Sequence, residues 1–275
     1  MDDIQESALP WSMDEIAYDR IELDRIRHRD DIFYLLTASS FVEIISDLTT
    51  RNLVGFFSGD DEVGSWLAEH WEHEEIQHGK ALREYVLRVW PDFDWDTTYA
   101  KFFAEYSQIC TVDEFEPTRC LEMAARCVVE MGTATYYRSL SSFAPEPVLQ
   151  DLAGRIKSDE VRHYKHFFRY FSKYRELESL GRLRILGTLK RRLGAVRSDD
   201  AEIALWHTYE SRHPGADRHG AEFRAMFSSV SGLVRSHFPS GMAAKMLLKP
   251  LTLPPLLTLA VTTPLSKLTQ IWILR

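Results

Sequence analysis

The sequence predicts an all-α protein organised around four long helices. Apolar residues recur at helical spacing along most of the chain, and alternating β-branched runs are few. Glycine and proline cluster where the periodic segments end, which marks the turns between helices. With 275 residues and 45% hydrophobic content, the chain can bury a sizeable core.

Each element follows from its own signals. An opening helix is expected near 12–29, and a strongly apolar one near 31–57. "SGDDE" then turns the chain and caps a third helix that runs to about Trp90, where "PDFDWD" breaks it. A shorter helix is expected over 97–110, a long one over 117–143 after "EPTRC", and another from the "APEP" turn to about 174. Residues 1–175 thus form a helical bundle and residues 176–275 an extension, with further helices near 199–211 and 219–237. Within the extension, Arg182, Arg184, Lys190, Arg191, Arg192 and Arg197 stand in a stretch without acids. The tail from Met242 onward also lacks acids, and its run "PLTLPPLLTLAVTTPL" is too short and too broken by proline to span a bilayer.

Composition excludes some functions. A formal charge of -8 argues against a nucleic-acid binder, because phosphate contact needs a concentrated basic surface. The start, "MDDIQESALPW", has neither a basic n-region nor an apolar h-region, so a cytoplasmic protein is expected. Cys110, Cys120 and Cys127 form no CxxC pair and read as reduced, small core residues.

Isolated charges carry the functional signal. Glu43 is the sole charge in "IFYLLTASSFVEIIS", and Glu130 the sole charge in "CVVEMGTATYY". A carboxylate on such a helix is buried, and a buried carboxylate needs a cation. Glu75-Ile-Gln-His78 and Glu160-Val-Arg-His163 each place a glutamate and a histidine one helical turn apart on a single face. Glu43 and Glu75 lie 32 residues apart about Gly59, and Glu130 and Glu160 lie 30 apart about Pro145. Both midpoints fall in expected turns, so two antiparallel hairpins would each bring two carboxylates and one histidine to a common depth.

The 90–116 segment is long enough to cross a bundle between the hairpins, the connection that ferritin-like four-helix bundles use. The hairpins then gather Glu43, Glu75, His78, Glu130, Glu160 and His163, the donor inventory of a dinuclear carboxylate site. Two divalent ions would balance its four negative charges. Carboxylate and imidazole donors suit iron, with manganese also compatible, whereas a structural zinc site would normally offer thiolate. His70 and His73 rotate off this face, and Glu74, four residues before His78, is a weaker alternative to Glu75.

At these residues the sequence resembles the di-iron carboxylate proteins of the ferritin-like superfamily, and most closely the soluble acyl-carrier-protein desaturases. "EEIQHG" at 74–79 is similar to that family's EENRHG, and "DEVRH" at 159–163 to its DEKRH. The match in order and spacing runs from Glu43 to His163, under half the chain. The resemblance implies two irons on the six donors, bridged by Glu75 and Glu160, with Thr133 beside the oxygen-binding face. It also implies that Asp159 accepts the free imidazole proton of a ligand histidine. Arylamine N-oxygenases are disfavoured, since Ile156 stands where they carry an additional histidine.

The expected activity is O2-dependent oxidation of an unactivated C–H bond, by desaturation or hydroxylation of an acyl or other apolar substrate. An electron donor such as a ferredoxin is then needed, an acyl carrier protein is a candidate partner, and a homodimer is the expected assembly. An iron-oxidising, iron-handling protein without an organic substrate is the alternative. The basic stretch after residue 176 can meet an acidic carrier or anionic headgroups, and the tail can lie on a membrane, on the bundle or on a second copy.

Overall fold

A computed structural model describes residues 9–195 and 200–273, with only the backbone given for Ala195 and 268–273. Arg197 of the basic stretch and the first eight residues lie outside the described residues. All described elements are helical, as expected.

The opening helix expected over 12–29 is not continuous. Two single 3-10 turns, Met13–Glu15 and Tyr18–Arg20, precede a four-residue helix, α1 (Leu23–Ile26). The apolar anchors Trp11, Ile16, Ile21 and Ile26 explain the difference. A five-residue spacing rotates by about 140° per step on an α-helix, so no single helix can turn all four inward. Ile16 and Ile21 instead adopt extended ψ values of 122° and 124°, and the segment zigzags along the surface.

The next run is α2 (Asp30–Ile44) and α3 (Ser46–Phe56), offset at Ile45, where ψ is 2°. By length and composition this run could cross a membrane, but 67% of its apolar window is buried inside the protein. Gly59, the hairpin midpoint, has φ +85° and makes the turn. Asp60 then caps α4 (Asp61–Trp66) by accepting from the Val63 amide. A π-helical turn, Leu67–Trp71, leads into α5 (Glu72–Val89). Asp94 caps α6 (Trp95–Tyr106), shorter than the expected 97–110 at its end. Thr118 caps α7 (Arg119–Phe143), and Glu146 caps α8 (Pro147–Glu178), with proline at its first position.

The α2–α3 run lies antiparallel to α5: Gly79 packs on Ser40 and Ile44, whereas Trp90 near the far end donates to the Arg27 carbonyl. Helices α7 and α8 are likewise antiparallel, with Ser141 bonded to Gln150 near the turn and the Cys120 amide to Glu178 at the open end. Tyr85 on α5 donates to the Glu146 cap of α8, and Ser39 on α2 bonds Tyr136 on α7, which ties the two pairs together. Helix α6 fills the crossing segment and rests on α2 through Phe41–Phe102 stacking and the Trp95–Ser40 bond.

The core is double. One apolar cluster holds α2, the second half of α5, the C-terminal half of α7 and the N-terminal half of α8; the other holds α3, α4, the start of α7 and the end of α8. Every long run passes from one cluster into the other. The crossing points carry Glu43, Glu75, His78, Glu130, Glu160 and His163, a polar layer between two dry regions.

Beyond α8 come α9 (Arg182–Ala195), α10 (Asp200–Arg212), α11 (Ala221–Ser236), α12 (Ser240–Leu248) and α13 (Pro255–Ile273). Helix α10 covers α2 and α6 through Arg212–Asp30 and His207–Glu105 pairs. Of the three places open to the tail, residues 240–251 lie on the bundle: Ala243, Leu248 and Leu251 are buried in the second cluster, and Ala244 is buried beside them in sequence. Cys120 and Cys127 are buried free thiols, and Cys110 is a half-buried one.

Candidate metal centre

The six expected donors converge. Glu43 comes from α2, Glu75 and His78 from α5, Glu130 from α7, and Glu160 and His163 from α8, all buried. Their candidate ligand atoms fall into two sets of four, each within a span of 4.8 Å: Glu43, Glu75, His78 and Glu160, then Glu75, Glu130, Glu160 and His163. Glu75 and Glu160 belong to both sets.

A second observation points into the same space. Glu43 Oε2, Glu75 Oε1, His78 Nδ1, Glu130 Oε2, Glu160 Oε1 and His163 Nδ1 are each buried without a hydrogen-bond partner. Leaving one such atom unpaired costs about 1–3 kcal/mol, so six together are a sizeable strain that a cation would relieve. His78 Nδ1 lies 3.3 Å from Glu160 and 3.7 Å from Glu43, and His163 Nδ1 lies 3.0 Å from Glu75 and 3.5 Å from Glu130. These donors therefore fit a pair of metal ions in number, charge and direction.

The outer ring nitrogens are accounted for. His78 Nε2 donates to Asp159 at 3.0 Å. His163 Nε2 donates to Glu74 at 2.9 Å. Glu74, the rival to Glu75, thus holds the other histidine. Arg162 donates to both acids, at 2.6 Å to Asp159 and 2.7 Å to Glu74. Trp11, which the sequence reading left unused, donates to Asp159 at 2.6 Å and stacks on His78 with ring planes 7° apart. Gln77 fixes Trp11 through its carbonyl.

The carboxylates have their own supports. Tyr137 donates to Glu43, and the Thr133 hydroxyl donates to Glu160 as well as to the Glu130 carbonyl. His70 and His73 are exposed, as expected from their phase. His166 is half-buried and stacks on Trp66 instead of reaching the site.

Proton affinities reflect the crowding. Burial, reinforced by Glu160 and Glu43, raises the Glu75 carboxyl well above its usual range, and burial pushes Glu130 up to about 7. Burial alone would lower His78 and His163, but the carboxylates bonded to them hold both imidazoles well above their usual value. Asp159 and Glu74 go the other way: burial raises them, yet the bonds from His78 and His163 bring both below the ordinary carboxylate range.

Close approach of α5 and α2 makes the first donor set possible. A Cβ on Gly79 would stand 2.4 Å from Ile44 Cγ1 and 2.7 Å from the Ile44 amide nitrogen. Only glycine beside His78 lets the helices meet at this depth.

Comparison with known proteins finds relatives over part of the chain. Two curated relatives from two strains of Mycobacterium tuberculosis, both provisionally named acyl-acyl-carrier-protein desaturase DesA2, are 32% identical to this chain over 120 residues. The relationship is desaturase-like. It covers 42% of this chain, and the chain spans about 41% of the length of these relatives. No family model matches the chain, and no solved structure matches it.

Proposed function

We propose that this protein is a non-haem di-iron oxidoreductase that uses O2 to oxidise an unactivated C–H bond of an acyl or other apolar substrate. In this reading residues 1–175 form a ferritin-like bundle around two irons. The supporting observation is the inward set of six buried, unpartnered donor atoms, divided into two sets that share Glu75 and Glu160. Glu43 and His78 would hold one ion and Glu130 and His163 the other, with Glu75 and Glu160 bridging.

Bound iron supplies the redox and oxygen chemistry that no side chain here offers. The residues of the chain prepare its place. Asp159 and Glu74 take the outer imidazole protons, which keeps each Nδ1 lone pair turned inward. Tyr137 and Thr133 bind the outer oxygens of Glu43 and Glu160 and leave the inner ones free. Apolar clusters above and below the layer exclude water, which suits a reaction that must not leak oxidant.

Desaturation of an acyl chain is the preferred reaction, because the curated relatives carry that name; hydroxylation would use the same donors. A ferredoxin-type electron donor, an acyl carrier protein and a homodimer complete the proposal. The test is protein loaded with ferrous iron without oxygen, then given O2, a reductant and acyl substrates, with products read by mass spectrometry. Substrate-dependent loss of two hydrogens or gain of one oxygen supports the reading. Rapid iron oxidation with mineral build-up, indifferent to every substrate, would replace it with iron handling.

A further inference from the structure

We propose that the exposed leucine face of α13, with the nearby ends of α8 and α9, docks on an anionic lipid surface. Helix α13 packs Val261 and Leu265 on the second cluster but also turns leucines to solvent. Its inward face carries Thr258, Val261, Thr262, Leu265 and Ser266, and its outward face carries Leu256, Leu259, Ala260, Thr263, Pro264 and Lys267. Leu256 is 84% exposed and Leu259 72%. The outward residues follow at i, i+3, i+4, i+7, i+8 and i+11, one continuous stripe.

Neighbouring elements extend the stripe. Arg182 donates to the carbonyls of Leu251 and Thr252, and Arg175 to that of Pro250, so the end of α8 and the start of α9 are tied to the turn Lys249–Leu251 that leads into α13. Leu177, Leu183 and Leu256, each within four residues of these contacts, are all more than two-thirds exposed. Exposed leucines on three segments tied to one turn point to an interaction surface.

Charge selects the occupant. Residues 242–275 contain no acid in a chain of net charge -8, and Arg184, Lys190, Lys245, Lys249 and Lys267 are exposed on the helices that carry or adjoin the leucines. Leucines that enter the acyl boundary, flanked by lysines that reach headgroup phosphates, are the chemistry of an interfacial helix. The tail segment 240–251 packed on the second cluster anchors this surface to the bundle. The inference stands independently of any metal in the centre.

The test is flotation of the full chain with phosphatidylcholine vesicles, with and without one third phosphatidylglycerol. Binding to anionic vesicles should exceed binding to neutral ones at least tenfold and weaken with salt. The double substitution Leu256→Ser, Leu259→Ser should cut it at least tenfold, and Lys245→Glu with Lys267→Glu should do the same, with helical content unchanged in both. No flotation, or equal flotation of the substituted proteins, overturns the proposal. So does a concentration-dependent dimer, seen by sedimentation and abolished by the leucine substitutions, when vesicles do not bind.

Discussion

Glu74 on α5 accepts from His163 on α8 at 2.9 Å, across 89 residues of sequence. Asp159 on α8 returns the same contact to His78 on α5 at 3.0 Å. Each acid immediately precedes a donor glutamate on its own helix and steadies the histidine of the other. The two helices that carry Glu-x-x-His are therefore cross-tied, and Arg162 clamps both ties from outside.

In the proposed centre the cross-tie would tune metal affinity without supplying a ligand. Glu74→Gln and Asp159→Asn should each leave two ions bound per chain while weakening one of them about 10–100-fold. A metal titration followed by calorimetry checks this. Loss of both ions from either variant would mean that the acid is itself a ligand.

Glycine at 79 is a packing requirement. Gly79→Ala drives a methyl into the Ile44 backbone and should cost about 3 kcal/mol, the upper end for overpacking. Gly64→Ala meets nothing within 4 Å in a helix and should stabilise by about 0.5–1 kcal/mol. Urea unfolding of the two proteins should move the midpoint in opposite directions.

Thr133 can be examined apart from catalysis. In Thr133→Val the buried Glu160 carboxylate loses a donor, which should cost about 1–3 kcal/mol in the metal-free protein. Thermal unfolding with and without bound metal separates this loss from ligation: both forms should be less stable, and metal stoichiometry should stay at two.

Protons compete with metal. In the metal-free centre burial pushes Glu130 up to about 7 and the bonded carboxylates hold His78 and His163 well above their usual value, so protons compete with metal for these groups. Because the folded-state affinities are raised, lowering pH fills the site with protons and weakens metal binding, and raising pH empties it. Apparent affinity should climb as pH passes 7, with proton release visible as a buffer-dependent heat.

Much of this was legible in the sequence because it rests on local features. Lone glutamates in apolar helices reveal burial, the Glu-x-x-His spacing gives a shared face, and turn midpoints at Gly59 and Pro145 set depth. Glu74 was harder to place, since it lies four residues before His78 and phase alone leaves it open as an alternative to Glu75; its partner His163 belongs to another helix. Trp11 went unused and the opening segment was misread for a different reason. The five-residue spacing of Trp11, Ile16, Ile21 and Ile26 fits no regular element, and the role of Trp11 shows only in its contacts with Asp159 and His78. The tail gave composition without orientation, because an outward leucine stripe differs from an inward one only once its neighbours are known.

Iron stoichiometry tests the central claim most directly. Ferrous iron added without oxygen should bind at two per chain, and Glu43→Ala and Glu130→Ala should each release mainly one ion, from opposite halves of the centre. Fewer than two irons in the unaltered protein, with no loss in either variant, would contradict the assignment of these six side chains.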